Sequence, residues 1–205
     1  MNYITKDFMN TKQSVTLKLS NGSEFTGELI GAPLISSGEL VFNTGMVGYN
    51  EALTDPSYFG QILIFSYPLI GNYGIPKISE NYDSIVPTGY ESLKVQTSAV
   101  IISKESAEAY HWNSETTVDK WLKKQKVPGI VGVDTRELIY QVRDSGKTLG
   151  IVRPENPEGV RVLHKSLPPI SEDKFFDPSE FQIIKCVSHE KRYSFGKGKK
   201  KGLRL

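Results

Sequence analysis

The chain has 205 residues, with 25 Lys+Arg, 23 Asp+Glu, three His and a single Cys. Its hydrophobic share of 38% and aromatic share of 10% indicate a folded globular protein and exclude a disordered chain. No run of about 18 apolar residues is present, so we expect no membrane helix. A single cysteine excludes an internal disulfide, and the N-terminus shows no targeting pattern. We therefore expect a cytoplasmic protein with no membrane contact.

Charge is distributed unevenly along the chain. Residues 191–205 hold seven basic residues and no acidic residue. The preceding residues hold 18 basic and 23 acidic residues, which gives them a net charge of −5. The body of the protein is therefore not expected to bind nucleic acid, and only the basic tail could form such a binding surface.

The first predicted elements form a β-hairpin. Residues 15–19 alternate apolar and polar side chains, and residues 24–29 follow as the partner strand. Between them, Asn21-Gly22 predicts a two-residue turn in which both residues adopt positive φ. Further segments rich in Val, Ile and Phe predict short strands at 40–43, 61–65, 95–102 and 129–133.

Two helices are predicted later in the chain. An apolar stripe at helical spacing places the first helix at residues 116–126. The second spans about residues 135–145, with Asp134 as N-cap, Glu137 at the capping-box position and Gly146 at the C-terminal cap. Short strands followed by a few helices predict a mixed α/β domain.

The composition changes after the second helix. Residues 153–180 are rich in Pro, Ser and acidic side chains, which predicts a loop or a partly ordered connector extending over 153–195. The Gly- and Lys-rich residues 196–205 are typical of a linker and end like the start of a strand. We therefore expect a main domain at 15–152, preceded by an extension at 1–14, within a longer protein.

Common catalytic motifs are absent from the sequence. It contains no GxSxG, Walker A or HExxH pattern, and we expect no metal site. Cys186 and His189 lie three residues apart and raise the alternative of an independent cysteine hydrolase. No glycine-bounded turn accompanies them, so a structural thiol is favoured for Cys186. His111 and His164 are isolated, and packing or surface roles are expected for both.

Residues 38–74 combine many glycines with Phe, Tyr and Met, which predicts tight loops held against a core. Within them, Asp55-Pro56-Ser57-Tyr58 predicts a turn in which Pro56 fixes φ and Asp55 bonds the backbone beyond it. A serine on such a turn can contact a polar ligand at little entropic cost. The alternative, favoured by the residues alone, is that Ser57 only satisfies its own turn.

The run GELVFNTGMVGYNEALTDPSYFGQIL…YPLIGNYGIP closely resembles the N-terminal domain of the small, glutamine-hydrolysing subunit of carbamoyl-phosphate synthetase. Further matching motifs follow in the same order: Tyr90-Glu91-Ser92, His111-Trp112, Trp121-Leu122, VPGIVGVDTREL and RDSGKTLG. The resemblance covers residues 15–152. The residues of these motifs are most similar to those of the eukaryotic multifunctional form of the pyrimidine pathway. Ile139 departs from the family, which usually has Thr there, and should alter only local packing.

The resemblance implies a three-layer β/β/α domain of the swivelling type. It also implies part of a ligase that converts glutamine, bicarbonate and two ATP to carbamoyl phosphate and glutamate. In this family a class I amidotransferase domain releases ammonia from glutamine, and a synthetase portion consumes it. Both would be partners of this domain. ATP and Mg²⁺ belong to the synthetase portion, so no cofactor is expected here, and the linker at 196–205 would lead into the amidotransferase domain.

The resemblance assigns one ligand contact to this chain. Ser57 matches the serine that helps to hold glutamine at the domain boundary, with Asp55, Pro56 and Tyr58 as the supporting turn. The catalytic Cys, His and Glu of the family lie beyond the matching part, so no catalytic residue is expected here, and Cys186 does not match the nucleophile. Architectural roles, as conformational glycines and a core tyrosine, are assigned to Gly45, Gly48, Tyr49, Gly60 and Gly71.

Two alternatives remain at this point. The chain could be an autonomous binding module whose basic tail contacts anionic partners, or it could belong to the arginine-pathway small subunit. Nucleic acid and membranes are not expected as partners of the leading interpretation.

Overall fold

The computed structural model describes residues 12–77, 89–106 and 108–188. The strands are β1 (Ser14–Leu19), β2 (Glu24–Gly31), β3 (Ser36–Asn43), β4 (Gln61–Phe65), β5 (Leu69–Ile70), β6 (Ile75–Pro76), β7 (Ala99–Ile102), β8 (Lys104–Glu105), β9 (Ser114–Thr116), β10 (Pro128–Val131) and β11 (Leu149–Pro154). The helices are α1 (Tyr49–Thr54), α2 (Val118–Lys124), α3 (Thr135–Ser145) and α4 (Ile184–Val187), with 3-10 turns at Pro56–Tyr58 and Pro178–Glu180.

Seven strands close into a barrel in the order β1-β11-β3-β4-β7-β10-β2. The strands β3, β4, β7 and β10 run parallel to one another, and the remaining neighbours pair antiparallel. Two short sheets, β5–β8 and β6–β9, lie outside the barrel. Closure of the barrel pairs both edges of every long strand, which removes open edges that could pair with another chain.

The parallel strands lie between two hydrophobic cores, and successive side chains along a strand point alternately into one core and the other. On β4, Ile62 and Ile64 belong to the core that fills the barrel, while Leu63 and Phe65 belong to a second core outside it. Strand β7 alternates in the same way. These strands are therefore buried on both faces, as parallel strands usually are.

Helices α1 and α2 cover the outer face of the parallel strands. Leu53 of α1 and Trp121 and Leu122 of α2 pack in the second core, and helix α3 contributes Leu138 and Val142 to the barrel core. Ile139 packs at the margin of the barrel core. The barrel walls supply two β layers and these helices a third, so the predicted mixed α/β class is confirmed.

The predicted hairpin is confirmed, but its predicted turn is wrong. Strands β1 and β2 pair with Leu17 opposite Phe25. The loop has three residues, because the Leu19 N–H donates to the Ser23 carbonyl and the Gly22 N–H donates to the Leu19 carbonyl. Of the turn residues, Gly22 has positive φ (90°) and Asn21 does not. This is the three-residue hairpin in which a left-handed Gly follows a type I turn.

The other predicted elements differ mainly at their ends. Strand β4 coincides with the predicted 61–65, and α3 with 135–145. Strand β7 begins four residues later than predicted, because the backbone at 95–97 bonds to Leu53 and to the Arg161 side chain instead of continuing the ladder. Helix α1 and strand β11 were not predicted as elements.

The connector packs against the barrel where the structure describes it. A parallel bridge joins Val160 to Ile35, and the Phe176 N–H donates to the Ser37 hydroxyl at 2.8 Å. The Phe176 ring stacks on Phe181 with centroids 5.1 Å apart. The connector is therefore packed against the barrel, although it has little regular secondary structure.

Helix α3 begins at the cap that the sequence predicts. The Asp134 carboxylate accepts hydrogen bonds from the N–H groups of Arg136 and Glu137, each at 3.1 Å. It satisfies two of the amides that the first helical turn leaves without partners, and its charge suits the positive end of the helix dipole.

We predict that Asp134→Ala lowers the free energy of unfolding by about 1 kcal/mol, measured by denaturant titration of the 205-residue chain. Asp144→Ala on the same helix is the matched control. Asp144 is exposed near the C-terminus of α3, where a negative charge opposes the dipole, so its loss should be neutral or slightly stabilising. Equal destabilisation by both variants would contradict the capping role.

Candidate functional site: the Asp-Pro-Ser-Tyr turn

The predicted turn lies between helix α1 and strand β4. Asp55 ends α1 and begins the 3-10 turn Pro56–Tyr58, and its carboxylate accepts a hydrogen bond from the Ser57 N–H at 2.8 Å. The Asp55 carbonyl accepts from the Tyr58 N–H at 3.1 Å. Pro56 occupies the first position of the turn, where its fixed φ is favourable and its missing N–H leaves no unpaired donor.

The Ser57 side chain is exposed at the tip of this turn. Among the described residues, its hydroxyl makes no hydrogen bond within the limits of a normal distance and angle, and Asp55 satisfies the turn amide instead. The ligand-contact role of Ser57 and the alternative, that it only satisfies its own turn, both stay predictions. The hydroxyl remains available to a ligand, both as donor and as acceptor.

Tyr58 connects the turn to strand β3. Its ring packs against the second core, and its hydroxyl accepts from the Asn43 side-chain amide at 3.4 Å. The other end of that amide, Oδ1, accepts from the Gly45 N–H at 2.7 Å. Asn43 thus joins the turn to the loop that follows β3, so the backbone on both sides of Ser57 is fixed.

The C-terminal end of α1 is held by the segment that follows the undescribed residues 78–88. The Thr54 hydroxyl accepts from the Glu91 N–H at 3.0 Å, and the Thr54 carbonyl accepts from the Ser92 hydroxyl at 2.6 Å. The Leu53 carbonyl accepts from the Gln96 N–H at 2.8 Å. The helix that carries the turn is therefore fixed from a distant part of the chain.

The N-terminal end of α1 is capped by Tyr73, a residue that the sequence analysis missed. Gly48 occupies the cap position with φ 82° and provides no side chain. The Tyr73 hydroxyl accepts from the N–H groups of Gly48 at 2.8 Å and Tyr49 at 3.1 Å. No local sequence signal reveals a cap supplied from so far along the chain.

Tyr49 and Tyr73 form one buried unit. Their rings stack with centroids 4.1 Å apart, and the Tyr49 hydroxyl donates to the Gly74 carbonyl at 2.6 Å. Burial raises the pKa of both phenols above the ordinary value. Both hydroxyls therefore stay protonated at neutral pH and can act as donors, consistent with the expected architectural role of Tyr49.

The glycines assigned to architecture lie in or beside these loops. Gly60 follows the turn with φ 77° and faces Pro178 of the connector, where a Cβ would lie 3.1 Å from the proline Cβ. Positive φ is also found at Gly48 and Gly71, whereas Gly45 contributes its N–H to Asn43.

The other residues singled out in the sequence do not join this turn. Cys186 is buried on the short helix α4, and its possible partner His189 lies outside the described residues, as does the basic tail. His111 packs beside Trp112, which is 88% exposed, and His164 accepts from the Ser166 N–H. Among residues 12–77, 89–106 and 108–188, no group of metal-binding side chains is found.

No helix among the described residues is long and apolar enough to cross a bilayer. Five surface clefts in that part of the chain are lined by residues other than Ser57. The turn presents its hydroxyl on an open surface, so a closed site around Ser57 would need a second surface.

The sequence of this domain matches one family of known proteins, the carbamoyl-phosphate synthase small chains. The family model described as "Carbamoyl-phosphate synthase small chain, CPSase domain" matches residues 17–152. The chain therefore belongs to the carbamoyl-phosphate synthase small-chain family.

Three curated relatives show where such domains occur. The chain is 43% identical over 173 residues to multifunctional protein CAD of Squalus acanthias, covering 84% of this chain and 7% of that protein. It is 42% identical over 156 residues to the carbamoyl phosphate synthase small chain of Sulfolobus acidocaldarius, covering 74% and 41%. It is 37% identical over 173 residues to the arginine-specific small chain of Yarrowia lipolytica, covering 84% and 37%.

The chain thus spans less than half the length of these relatives. A solved structure, the aminopeptidase from Aneurinibacillus sp. strain AM-1, superposes on 68% of this chain and 30% of its own with 17% identity and a TM-score of 0.34. That similarity is too low to bear on the fold or on the function.

We predict that Tyr73→Phe lowers the free energy of unfolding by about 1–2 kcal/mol, because the first amides of α1 lose their acceptor while the ring stack is kept. Tyr140→Phe, at an exposed position of α3, is the matched control and should change stability by less than about 0.5 kcal/mol. Denaturant titration measures both. An unchanged stability of Tyr73→Phe would show that the phenol does not cap α1.

Proposed function

We propose that this chain is the N-terminal domain of a glutamine-dependent carbamoyl-phosphate synthetase of the pyrimidine pathway. The complete enzyme would convert glutamine, bicarbonate and two ATP to carbamoyl phosphate and glutamate. The family match supports the class of enzyme, and the similarity to multifunctional protein CAD supports the pyrimidine pathway. The arginine pathway remains the second candidate, because an arginine-specific small chain is also similar over 84% of the chain.

In this proposal the domain itself performs no bond-breaking step. A class I amidotransferase domain of the same enzyme would hydrolyse glutamine, and the synthetase portion, which uses ATP and Mg²⁺, would consume the ammonia. The buried Cys186 on its four-residue helix suits a structural thiol better than a nucleophile, since a nucleophilic thiol needs an accessible site that lowers its pKa. We place the enzyme in the cytoplasm, with no nucleic acid or membrane as partner.

The role proposed for this domain is to contact glutamine through Ser57. Glutamine carries an amide and two charged groups, and each polar group left unpaired in a closed site costs about 1–3 kcal/mol. The Ser57 hydroxyl supports this role because it is exposed, has no partner among the described residues, and sits on a turn fixed by Asp55, Pro56 and Tyr58. A ligand that binds it pays little for ordering the protein.

The open surface around Ser57 implies that the glutamine site is shared. Since Ser57 is exposed at the tip of its turn, the remaining walls of the site would come from the amidotransferase domain. Met46 and Val47 are largely exposed in the loop that Asn43 joins to the turn. Exposed apolar side chains next to a ligand contact are typical of a surface that another domain covers.

We predict that Ser57→Ala in the full-length enzyme raises the KM for glutamine about tenfold, which corresponds to the loss of one hydrogen bond to the substrate. Synthesis from free ammonia should remain near normal, because ammonia bypasses the glutamine site. Steady-state kinetics with each nitrogen donor measures both effects.

Ser166→Ala, at another exposed serine, is the matched control and should leave both activities unchanged. If Ser57→Ala reduced glutamine-dependent and ammonia-dependent synthesis equally, the serine would act through folding or assembly and not through glutamine.

We also predict that the 205-residue chain alone releases no ammonia from glutamine.

The native thiol of Cys186 should react slowly with iodoacetamide near neutral pH, and rapidly after unfolding, because it is buried. Measurable glutaminase activity that disappears on alkylation of Cys186 would support an independent cysteine hydrolase and would contradict the proposal.

A further inference from the structure

A cleft of about 600 Å³, which Ser57 does not line, lies between residues 94–96, the end of helix α2 and the connector at 158–163, with Phe59 and residues 32–34 in its wall. Its size is typical of a small-molecule site. Four cationic side chains line it against a single carboxylate, that of Glu158. The cations are Lys94, Lys123, Lys126 and Arg161. At neutral pH the lining therefore carries an excess of positive charge, which attracts anions.

Arg161 carries its charge almost completely buried, with 6% of its surface exposed. Its terminal nitrogens donate to four backbone carbonyls, those of Val95, Thr97, Gln125 and Lys126. Among the described residues it has no carboxylate partner, and its Nε has no hydrogen-bond acceptor. Burial lowers the pKa of Arg161 to about 10, so the side chain remains charged at neutral pH.

A second buried group in the cleft wall also lacks a partner. Gln96 is 4% exposed, and its side-chain nitrogen donates to the Ser92 hydroxyl at 2.8 Å. Its Oε1 has no donor within the described part of the chain. Buried polar atoms without partners are rare in folded proteins, and two residues of the cleft wall, Gln96 and Arg161, each have one.

Lys126 lies just after helix α2 in the left-handed conformation, with φ 56°. The Val127 N–H donates to the Leu122 carbonyl at 2.9 Å, so Lys126 holds the helix-terminating position at which glycine is the least strained residue. A lysine is therefore unfavourable for the backbone at this point. Its side chain adds a positive charge to the cleft lining.

We propose that this cleft is a binding site for a small polyvalent oxyanion, with phosphate or carboxylate groups held by Lys94, Lys123 and Lys126. Arg161 supplies positive potential from beneath the lining. Lysines suit this role because their ammonium groups act as point charges toward phosphate oxygens. The bound anion would offset the buried charge of Arg161, which has no carboxylate partner in the described structure.

The site connects three separate segments of the chain. The charged lining residues come from the stretch before β7, from the end of α2 and from the connector, and residues 32–34 and Phe59 complete the wall. An anion bound there stabilises the folded chain by mass action, since the unfolded chain offers no such cluster. Binding can therefore be measured without any enzymatic activity.

The test is the unfolding temperature of the 205-residue chain during titration with sodium pyrophosphate, compared with sodium chloride at equal ionic strength. We expect a saturable increase with pyrophosphate and a smaller, non-saturating change with chloride. Citrate and ATP, titrated separately, distinguish a carboxylate ligand and a nucleotide from a free phosphate compound. Equal responses to pyrophosphate, citrate, ATP and chloride would overturn the proposal.

Three single-charge variants are compared in the same titration. One should weaken binding, one should strengthen it, and one is a control. Lys123→Gln should weaken pyrophosphate binding by roughly fivefold or more, and Glu158→Gln should strengthen it about twofold or more, since each changes one charge of the lining. Lys124→Gln is the matched control, because Lys124 is the next residue of α2 but does not line the cleft. Its dissociation constant should match that of the unchanged chain, and equal constants in all three variants would overturn the site.

Lys126→Gly separates binding from folding. We expect a higher unfolding temperature without the anion, because glycine relieves the left-handed strain, together with a weaker response to pyrophosphate. A higher unfolding temperature with undiminished pyrophosphate binding would show that the lysine charge takes no part in the site.

Discussion

The burial of strands β4 and β7 on both faces is the constraint on which the rest of this structure depends. Their inward side chains fill the barrel, so their outward side chains need a second layer to cover them. Helices α1 and α2 provide that layer, and α1 is the connection between β3 and β4. The Asp-Pro-Ser-Tyr turn is the last part of that connection. Its position therefore follows from the packing of a helix and not from the turn sequence alone.

The structural tasks of the turn fall to the neighbours of Ser57. Asp55 accepts from the backbone, Tyr58 packs in the core and reaches Asn43, and Pro56 limits the backbone, so none of these tasks falls to Ser57. A hydroxyl without a structural task can exchange water for a ligand without loss of protein stability. In the proposed function, this division would let a small side chain at the tip bind glutamine while it contributes little to folding.

The sequence predicted those features whose causes are local. Strand β4, helix α3 and the Asp134 cap depend on neighbouring residues, and the turn at Asp55 is fixed by its own four residues. Helix α1 was missed because its cap comes from Tyr73, and the start of β7 was misplaced because Arg161 takes the carbonyls of Val95 and Thr97. The importance of Ser57 came from family resemblance, since periodicity and spacing could not distinguish its hydroxyl from that of any other turn serine.

Arg161 shows how the connector becomes part of the domain. Its guanidinium joins the end of α2 to the stretch before β7, and both are segments that leave their carbonyls without ladder or helix partners. A lysine could not replace Arg161, because one ammonium group cannot donate to four carbonyls on two segments. This arrangement satisfies the backbone but leaves the buried charge without a carboxylate partner among the described residues. Arg161 therefore has two effects. It holds the connector against the barrel, and its buried charge makes the adjacent cleft favourable for an anion.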